Sequence, residues 1–172
     1  MNRVSTHGSR EEMIAIRPAI EADIPLLFNF ILGIAEYEKR SAEVVADESI
    51  LRESFFGDQA SAEALIAEWG GEPVAFAVFF ENFSTFEGRS GLYLEDLYVN
   101  PEYRRKGIGR ALLAYLAKIA VERGCPRFEW VALDWNQNAI NLYKKMGAKQ
   151  MSELRIFRLT GADLVRLASA SY

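Results

Sequence analysis

A short basic stretch that contains two glycines, Arg104–Arg110, constrains this chain more than any other part of its sequence. The apolar run Leu92–Val99 and the turn signal Asn100-Pro101 precede it, and the amphipathic run Ala111–Val121 follows it. The stretch therefore connects a predicted strand to the first turn of a predicted helix. At such a place the backbone N–H groups lack intrahelical acceptors, and the helix dipole favours a bound anion.

The spacing of the glycines restricts the kind of anion. Gly107 and Gly109 let the backbone approach a ligand closely, and four cationic side chains surround them. A P-loop would need Gly-x-x-x-x-Gly-Lys-Ser/Thr, which the sequence lacks, and a dinucleotide fingerprint would need glycine or alanine where Leu112 stands. The alternative is an ordinary helix start, but cations oppose the dipole there. The stretch therefore predicts a cradle for a phosphate or pyrophosphate.

Composition agrees with a small enzyme. The chain has 172 residues, half of them hydrophobic, which is enough for one domain with a sizeable core. The net charge of −4 argues against a nucleic-acid partner. No apolar run approaches the length of a membrane span and no signal-peptide pattern opens the chain, so we expect no membrane partner and a cytoplasmic location. With one cysteine, Cys125, and one histidine, His7, we expect neither an internal disulfide nor a metal site.

Hydrophobic periodicity predicts a mixed architecture. Residues 1–12 are polar and predict a flexible N-terminal extension, and residues 13–172 predict a single domain. The predicted order is β-α-α-β-β-β-α-β-α-β-α, which indicates an α/β (mixed α+β) fold with helices on both faces of a mixed sheet. The predicted strands are 13–17, 64–68, 73–80, 92–99, 128–133 and 156–159, and the predicted helices open near Glu21 and at Asp47 and cover 111–121, 135–146 and 162–168.

Two spaced motifs resemble those of the GCN5-related N-acetyltransferase (GNAT) superfamily. Arg-x-x-Gly-x-Gly at residues 104–109 is similar to its coenzyme A pyrophosphate motif, and Asn-x-x-Ala-x-x-x-Tyr-x-x-x-Gly at residues 136–147 is similar to its second coenzyme-binding helix. At helical spacing Asn136, Ala139 and Tyr143 share a face, so one ligand can contact several of them. The resemblance implies the GNAT fold, with a central, mostly antiparallel mixed sheet, and acetyl-CoA as co-substrate without a metal.

Further segments are similar to the diamine acetyltransferase branch of that superfamily, which includes polyamine-acetylating and thialysine-acetylating enzymes. The segments are Ile16–Ala19, Ile34–Lys39, Tyr93–Asp96, Asn100–Arg104 and Leu133–Gln137. The loop Ser84–Arg89 is similar to the thialysine side, because Ser84 stands where the polyamine enzyme tends to have an acid on the amine side of the site. The resemblance implies a small cationic amine as substrate (a diamine, polyamine or thialysine-like amine) and a homodimer.

Transfer to an amine requires a group that takes a proton from the ammonium, because a free alkylamine is almost fully protonated at pH 7. Glu95 matches the position that the branch uses for this base, and the alternative is an acid paired with a cross-strand cation. Strand alternation places Glu95 on one face with Tyr93 and Leu97, and Asp96 on the other, unless a bulge intervenes. The departing thiolate can take a proton from a hydroxyl. Tyr143 matches that role, and its alternative is a core aromatic residue.

The resemblance also implies the remaining contacts. The coenzyme is expected to bind the end of the strand, the loop and the second helix, at Leu97, Tyr98, Val99, Arg104, Arg105, Lys106, Gly107, Ile108, Gly109, Arg110, Asn136, Gln137, Asn138, Ala139 and Tyr143. The amine is expected to contact Tyr37, Glu38, Glu95, Glu129, Trp130, Val131 and Glu153. For Glu38 the alternative is a solvated helix face, and for Trp130 it is a core position.

The sequence therefore predicts an acetyl-CoA-dependent N-acetyltransferase that acts on a primary amine of a small cationic substrate by direct transfer in a ternary complex. Two alternatives stay open. A protein or peptide N-acetyltransferase would be favoured by a flat acidic groove. A non-catalytic acyl-CoA-binding module would need neither Glu95 nor Tyr143.

Overall fold

A computed structural model describes residues 13–170, so the predicted extension 1–12 and His7 lie outside the described residues. The chain divides into two compact units, one up to Val131 and one from Ala132 onward. The described elements of the first unit are β1 (Ile14–Pro18), α1 (Ile24–Tyr37), α2 (Glu48–Phe56), β2 (Glu63–Trp69), β3 (Glu72–Ser84), β4 (Arg89–Val99), α3 (Ile108–Glu122) and β5 (Phe128–Trp130).

The strands of the first unit form one sheet in the order β1-β2-β3-β4-β5. The pairs from β1 to β4 are antiparallel, and β4 and β5 are parallel. A tight turn joins β2 to β3, because Gly70 and Gly71 both have positive φ angles, 58° and 83°. The parallel pair instead requires a crossover, which α3 supplies. This mixed, mostly antiparallel sheet confirms the predicted fold class.

Helices cover both faces of the sheet. Helices α1 and α2 pack on one face, where Leu27, Phe30 and Leu51 meet Phe76 and other buried residues of the sheet. The rings of Phe30 and Phe76 stack with their centroids 5.3 Å apart. Helix α3 buries its apolar side on the other face, so β3 is buried from Val74 to Phe79 on both sides. The amphipathic spacing of both helices explains this layering.

A β-bulge interrupts β4 at Glu95. Leu94 pairs with Phe79 and Asp96 pairs with Val78, so Glu95 is the extra residue of the bulged strand. The parallel pairing of β4 with β5 stops at Leu94, one residue before the bulge. This explains why β5 ends at Trp130, although the apolar pattern predicts a strand to residue 133.

The second unit contains α4 (Gln137–Lys145) and α5 (Gly161–Ala168) among its described residues. The predicted end of α4 at Gly147 is confirmed, since this residue has a φ angle of 90° and lies one residue beyond the helix cap. The predicted strand at 156–159 is wrong, because this segment has no strand structure. Ile156 and Phe157 are adjacent and both are exposed, so the segment lacks the one buried face that stabilises a strand.

None of the helices in residues 13–170 combines the length and apolarity that a membrane crossing requires. In the same residues, no three or more His, Cys, Asp or Glu side chains are arranged to hold a metal ion.

Candidate active site

The predicted cradle lies between β4 and α3. Gly107 forms the N-cap of α3 with a φ angle of 85°, a conformation that glycine adopts without steric cost. Within residues 13–170 no side chain caps this helix, whereas the Asp47 carboxylate accepts a hydrogen bond from the Ile50 N–H at the start of α2. The N–H groups of Ile108–Arg110 therefore lack intrahelical acceptors and point to a site where an anion can bind.

The two glycines of the cradle have different roles. A Cβ atom at Gly107 would meet open space, but the positive φ angle there favours glycine. A Cβ atom at Gly109 would lie 3.6 Å from Leu97 Cδ2 and 3.9 Å from Val99 Cγ2, which are ordinary contacts. Packing therefore does not require glycine at position 109. The missing side chain leaves the surface above the first turn of α3 open, which leaves room for an anion such as a diphosphate.

Arg104 directs its guanidinium toward α1. Its Nε donates a hydrogen bond to the Val99 carbonyl at 3.0 Å, and its guanidinium lies 4.5 Å from the centroid of the Tyr37 ring and 5.8 Å from that of Tyr98. Cation–π contacts of this kind stabilise by about 0.5–1 kcal/mol at exposed sites. Arg104 therefore holds the loop beside the C-terminal end of α1, and its direct contact with the coenzyme stays a prediction.

The other cations of the loop differ in their surroundings. The Lys106 ammonium lies 4.9 Å from the centroid of the Trp69 ring and 5.1 Å from that of the Tyr103 ring. Arg105 has a left-handed backbone with a φ angle of 64°, and Arg105 and Arg110 are both exposed. Three cations, Arg105, Lys106 and Arg110, are thus exposed at the start of α3, and the Lys106 ammonium also lies near aromatic rings.

The residues of β4 after the bulge alternate between the two helical layers. Leu97 and Val99 face α3, as their distances from Gly109 show. Tyr98 faces α1, with its ring centroid 6.1 Å from that of Phe30. A Cβ atom at Gly33 would lie 2.7 Å from the Tyr98 hydroxyl, so Gly33 makes room for this ring in the middle of a helix.

The bulge brings two carboxylates into one region. Glu95 is exposed, whereas Asp96 is partly buried on the face of the sheet that carries Val78 and α1. Burial, followed by the charges of Glu95 and Glu38, raises the pKa of the Asp96 carboxyl to about 6, and Arg40 acts in the opposite direction. The sequence interpretation left Asp96 out of the site. The signal that it lacked was the register of β4, which only the pairing with β3 reveals.

The end of α1 presents Tyr37 and Glu38, as predicted. Lys39 follows in a left-handed conformation with a φ angle of 59°, and its N–H donates to the Glu36 carbonyl at 3.0 Å. The Arg40 N–H donates to the Ala35 carbonyl at 2.8 Å, which completes a Schellman turn. The turn places Glu38 and Arg40 close enough to Asp96 for both to influence its pKa.

The predicted contacts on β5 have partners within the sheet. The Glu129 carboxylate accepts a hydrogen bond from Asn82 Nδ2 at 3.3 Å and pairs with Arg127 Nε at 3.0 Å. The Trp130 ring centroid lies 4.8 Å from that of Phe128, and Val131 is exposed just after the strand. Contact of these residues with the amine stays a prediction.

Ser84, the first residue of the loop Ser84–Arg89, is turned into the protein, and the influence of this loop on the choice of amine stays a prediction. Its side chain is buried, at 5% exposure, and its Oγ accepts a hydrogen bond from the Glu87 N–H at 3.3 Å. Ser84 therefore closes the turn between β3 and β4. Its hydroxyl stabilises the turn.

The remaining predicted residues belong to the second unit. Asn136 caps α4, since its Oδ1 accepts a hydrogen bond from the Ala139 N–H at 3.3 Å. Asn136, Ala139 and Tyr143 are partly buried, whereas Gln137 and Asn138 are exposed. The shared face expected from helical spacing is thus present. Glu153 is exposed in a turn after α4.

The chain matches the family model described as "Acetyltransferase (GNAT) family" over residues 31–148. It is 38% identical over 166 residues to a thialysine N-epsilon-acetyltransferase from Sus scrofa, covering 90% of this chain and 97% of that protein. It is 30% identical over 163 residues to a spermidine/spermine N(1)-acetyltransferase-like protein from Homo sapiens, covering 89% of this chain and 23% of that protein. An integron cassette protein of V. cholerae has a similar structure, with a TM-score of 0.76 and 26% identity over 91% of this chain and 98% of that chain.

Proposed function

The chain belongs to the acetyltransferase (GNAT) family and is an N-acetyltransferase, and we propose that it transfers the acetyl group of acetyl-CoA to a primary amine of a small cationic substrate. One observation carries this proposal. A single strand–loop–helix unit has carboxylates at the β4 bulge and an uncapped basic helix start at α3. The carboxylates can bind a cationic acceptor, and the start of α3 can bind an anionic acetyl donor. A thialysine acetyltransferase among the relatives supports an amine of the lysine-like or polyamine type.

The donor would bind through the loop and the edge of β4. The N–H groups of Ile108–Arg110 and the side chains of Arg105 and Arg110 would hold the diphosphate. Pairing of β5 with β4 stops at Leu94 in the described chain, so the β4 backbone near Leu97 has no partner from β5. We propose that N–H groups there polarise the thioester carbonyl, which acetyl-CoA supplies as the reacting group. Asn136–Ala139 and Tyr143, in the second unit, are the further coenzyme contacts that we propose from the family resemblance.

The acceptor would bind to the carboxylates at the bulge and at the end of α1. Glu38, Glu95 and Asp96 attract an ammonium group, and Glu95 is the exposed one that accepts its proton, directly or through water. Asp96 contributes a second base, because a carboxyl with a pKa of about 6 is a better proton acceptor near neutral pH than an ordinary one. The freed amine attacks the thioester, and the Tyr143 hydroxyl protonates the departing thiolate.

Release of free thiol from acetyl-CoA with a panel of amines tests the proposal. We expect turnover with lysine-like thioethers, diamines and polyamines. Tyr143→Phe should lower kcat by about 10²-fold, because it removes the proton donor and keeps the ring. Tyr115→Phe on α3 is the matched control and should leave kcat unchanged.

Other outcomes of the same assay would identify the alternatives. Turnover with peptides alone would indicate a protein or peptide acetyltransferase. Binding of acetyl-CoA without thiol release from any acceptor would indicate a non-catalytic acyl-CoA-binding module. Turnover of Tyr143→Phe and Glu95→Gln at the wild-type rate would contradict the proposed roles of these side chains.

The raised pKa of Asp96 predicts a pH dependence. Asp96 becomes negatively charged as the pH rises through about 6, so kcat/KM for a cationic amine should rise between about pH 5 and pH 7. Asp96→Asn should remove this step, whereas Glu122→Gln on α3 should keep it. A step that persists in Asp96→Asn would assign the titration to another group.

The homodimer and the cytoplasmic location expected from the sequence are part of this proposal. Apolar side chains between the end of α4 and the end of α5 are exposed, which favours contact with a second copy of the chain. They include Met151, Leu154, Ile156, Phe157, Leu159, Leu164, Val165 and Leu167. Phe157, at 92% exposure, offers the test. Phe157→Lys should lower the molar mass measured by light scattering from that of a dimer toward that of a monomer, and a wild-type monomer would contradict the dimer.

A further inference from the structure

The end of α1 brings one guanidinium into the group of carboxylates beside the β4 bulge. Lys39 has a left-handed backbone, and the Arg40 N–H is held by the Ala35 carbonyl, so the Schellman turn fixes the direction in which the chain carries Arg40. Glycine is the usual residue at the left-handed position of such a turn. A lysine there is strained, and strained residues cluster at sites of function.

The Arg40 guanidinium lies near the carboxylates of Glu38 and Glu43. Its Nη1 lies 3.7 Å from Glu38 Oε2, and its Nε and Nη2 lie 2.9 Å and 2.5 Å from the two carboxylate oxygens of Glu43. The pair with Glu43 holds the guanidinium in place, and the longer distance to Glu38 leaves that carboxylate able to bind a second cation.

Arg40 is also within electrostatic range of the bulge. Glu95 and Glu38 raise the pKa of Asp96, and Arg40 is the one cation that lowers it among the described groups that act on Asp96. The region where the amine would bind thus has three carboxylates and a fixed positive charge. The attraction of a substrate to such a site depends on the product of the charges, so a fixed cation penalises a substrate more with each ammonium group that it carries.

We propose that Arg40 is a specificity-determining residue. Its fixed positive charge disfavours polyamines relative to amines of low net charge such as lysine-like amino acids. The inference rests on the proposed function and narrows its substrate class. A lysine-like acceptor brings one distal ammonium and a carboxylate that offsets its other charge. A polyamine brings further ammonium groups that Arg40 repels.

The test measures kcat/KM for spermine and for thialysine in the wild type, Arg40→Met and Arg40→Lys. We expect Arg40→Met to raise the ratio of spermine to thialysine by about three- to fivefold, because the side chain is partly exposed and such pairs are screened. Arg40→Lys keeps the charge and should stay within about twofold of the wild type. The effect of Arg40→Met should shrink as salt is added.

Arg52→Met is the matched control. Arg52 pairs with Glu21, which lies near the N-terminal end of α1, whereas Arg40 follows its C-terminal end. A helix of 14 residues is about 20 Å long, so Arg52→Met removes a similar ion pair at about that distance from the site. In Arg52→Met the ratio of kcat/KM for spermine to that for thialysine should equal the wild-type ratio. Arg40→Gln repeats the test with a polar side chain, so that a folding defect of one variant does not decide the result.

The outcomes separate the inference from the proposed function. A ratio that stays at the wild-type value in Arg40→Met and Arg40→Gln, with both substrates turned over, overturns the role of Arg40 and leaves the proposed function standing. An equal rise for both substrates also overturns it, because the residue then affects binding without selecting by charge. A wild type that acetylates no amine overturns the proposed function and the inference together.

Discussion

Helices α2 and α3 begin in opposite ways. Asp47 caps α2 through its hydrogen bond from the Ile50 N–H, and Glu48 follows in the first turn. Helix α3 begins at Gly107 without a capping side chain among the described residues, and cations flank it. A capping residue stabilises a helix by about 1 kcal/mol. The start of α3 has no capping side chain, so its first N–H groups have no acceptor within the helix. The difference favours a structural role for α2 and the proposed anion-binding role for α3.

A negative charge at the start of α3 gives the largest expected effect. Acetyl-CoA at a hundredfold excess over its Kd should stabilise the protein by about 2.7 kcal/mol, measured by thermal or denaturant unfolding. Gly109→Asp adds a carboxylate above the first turn and should abolish this stabilisation. Ser49→Asp adds the same group at the start of α2 and should preserve it. A wild-type shift in Gly109→Asp would contradict the assignment of the cradle.

Removal of the cap of α2 gives an intermediate effect. Asp47→Ala should lower the free energy of unfolding by about 1 kcal/mol, because the Ile50 N–H loses its acceptor. The Kd for acetyl-CoA should stay unchanged, since α2 takes no part in the cradle. Denaturant unfolding and calorimetric titration measure the two quantities. A weakened Kd would show that the starts of the two helices are coupled.

The strained cation beside the cradle gives the smallest expected effect. Arg105→Gly relieves a left-handed backbone and should raise the stability of the ligand-free protein by about 0.5 kcal/mol. It also removes an exposed cation, so the Kd for acetyl-CoA should rise by a few-fold, less at high salt. Arg110→Gln is the comparison, because it removes a cation without changing a left-handed residue. A gain of affinity in Arg105→Gly would argue that this cation does not face the coenzyme.

Local features of the fold could be predicted from the sequence. The glycine start of α3, the cap at Asp47 and the end of α4 at Gly147 depend on the backbone of a few consecutive residues, so their residue types predict them. The mixed sheet was predicted from hydrophobic periodicity, which is also a pattern among residues that are close together in the sequence. The shared face of Asn136, Ala139 and Tyr143 followed from helical spacing in the same way.

The tertiary structure decided the features that depend on distant partners. The pairing of β4 with β3 creates the bulge at Glu95, and the pairing of Asp96 with Val78 shows that Asp96 faces α1, although alternation along β4 does not reveal which helix lies on that face. The contact of Arg104 with Tyr37 joins residues far apart in the chain. The segment 156–159 has the apolar composition of a strand but no strand structure, because a strand forms only where a neighbouring edge supplies hydrogen bonds. The sequence thus determined the local backbone structure that each segment favours, and tertiary packing determined which side chains are in contact.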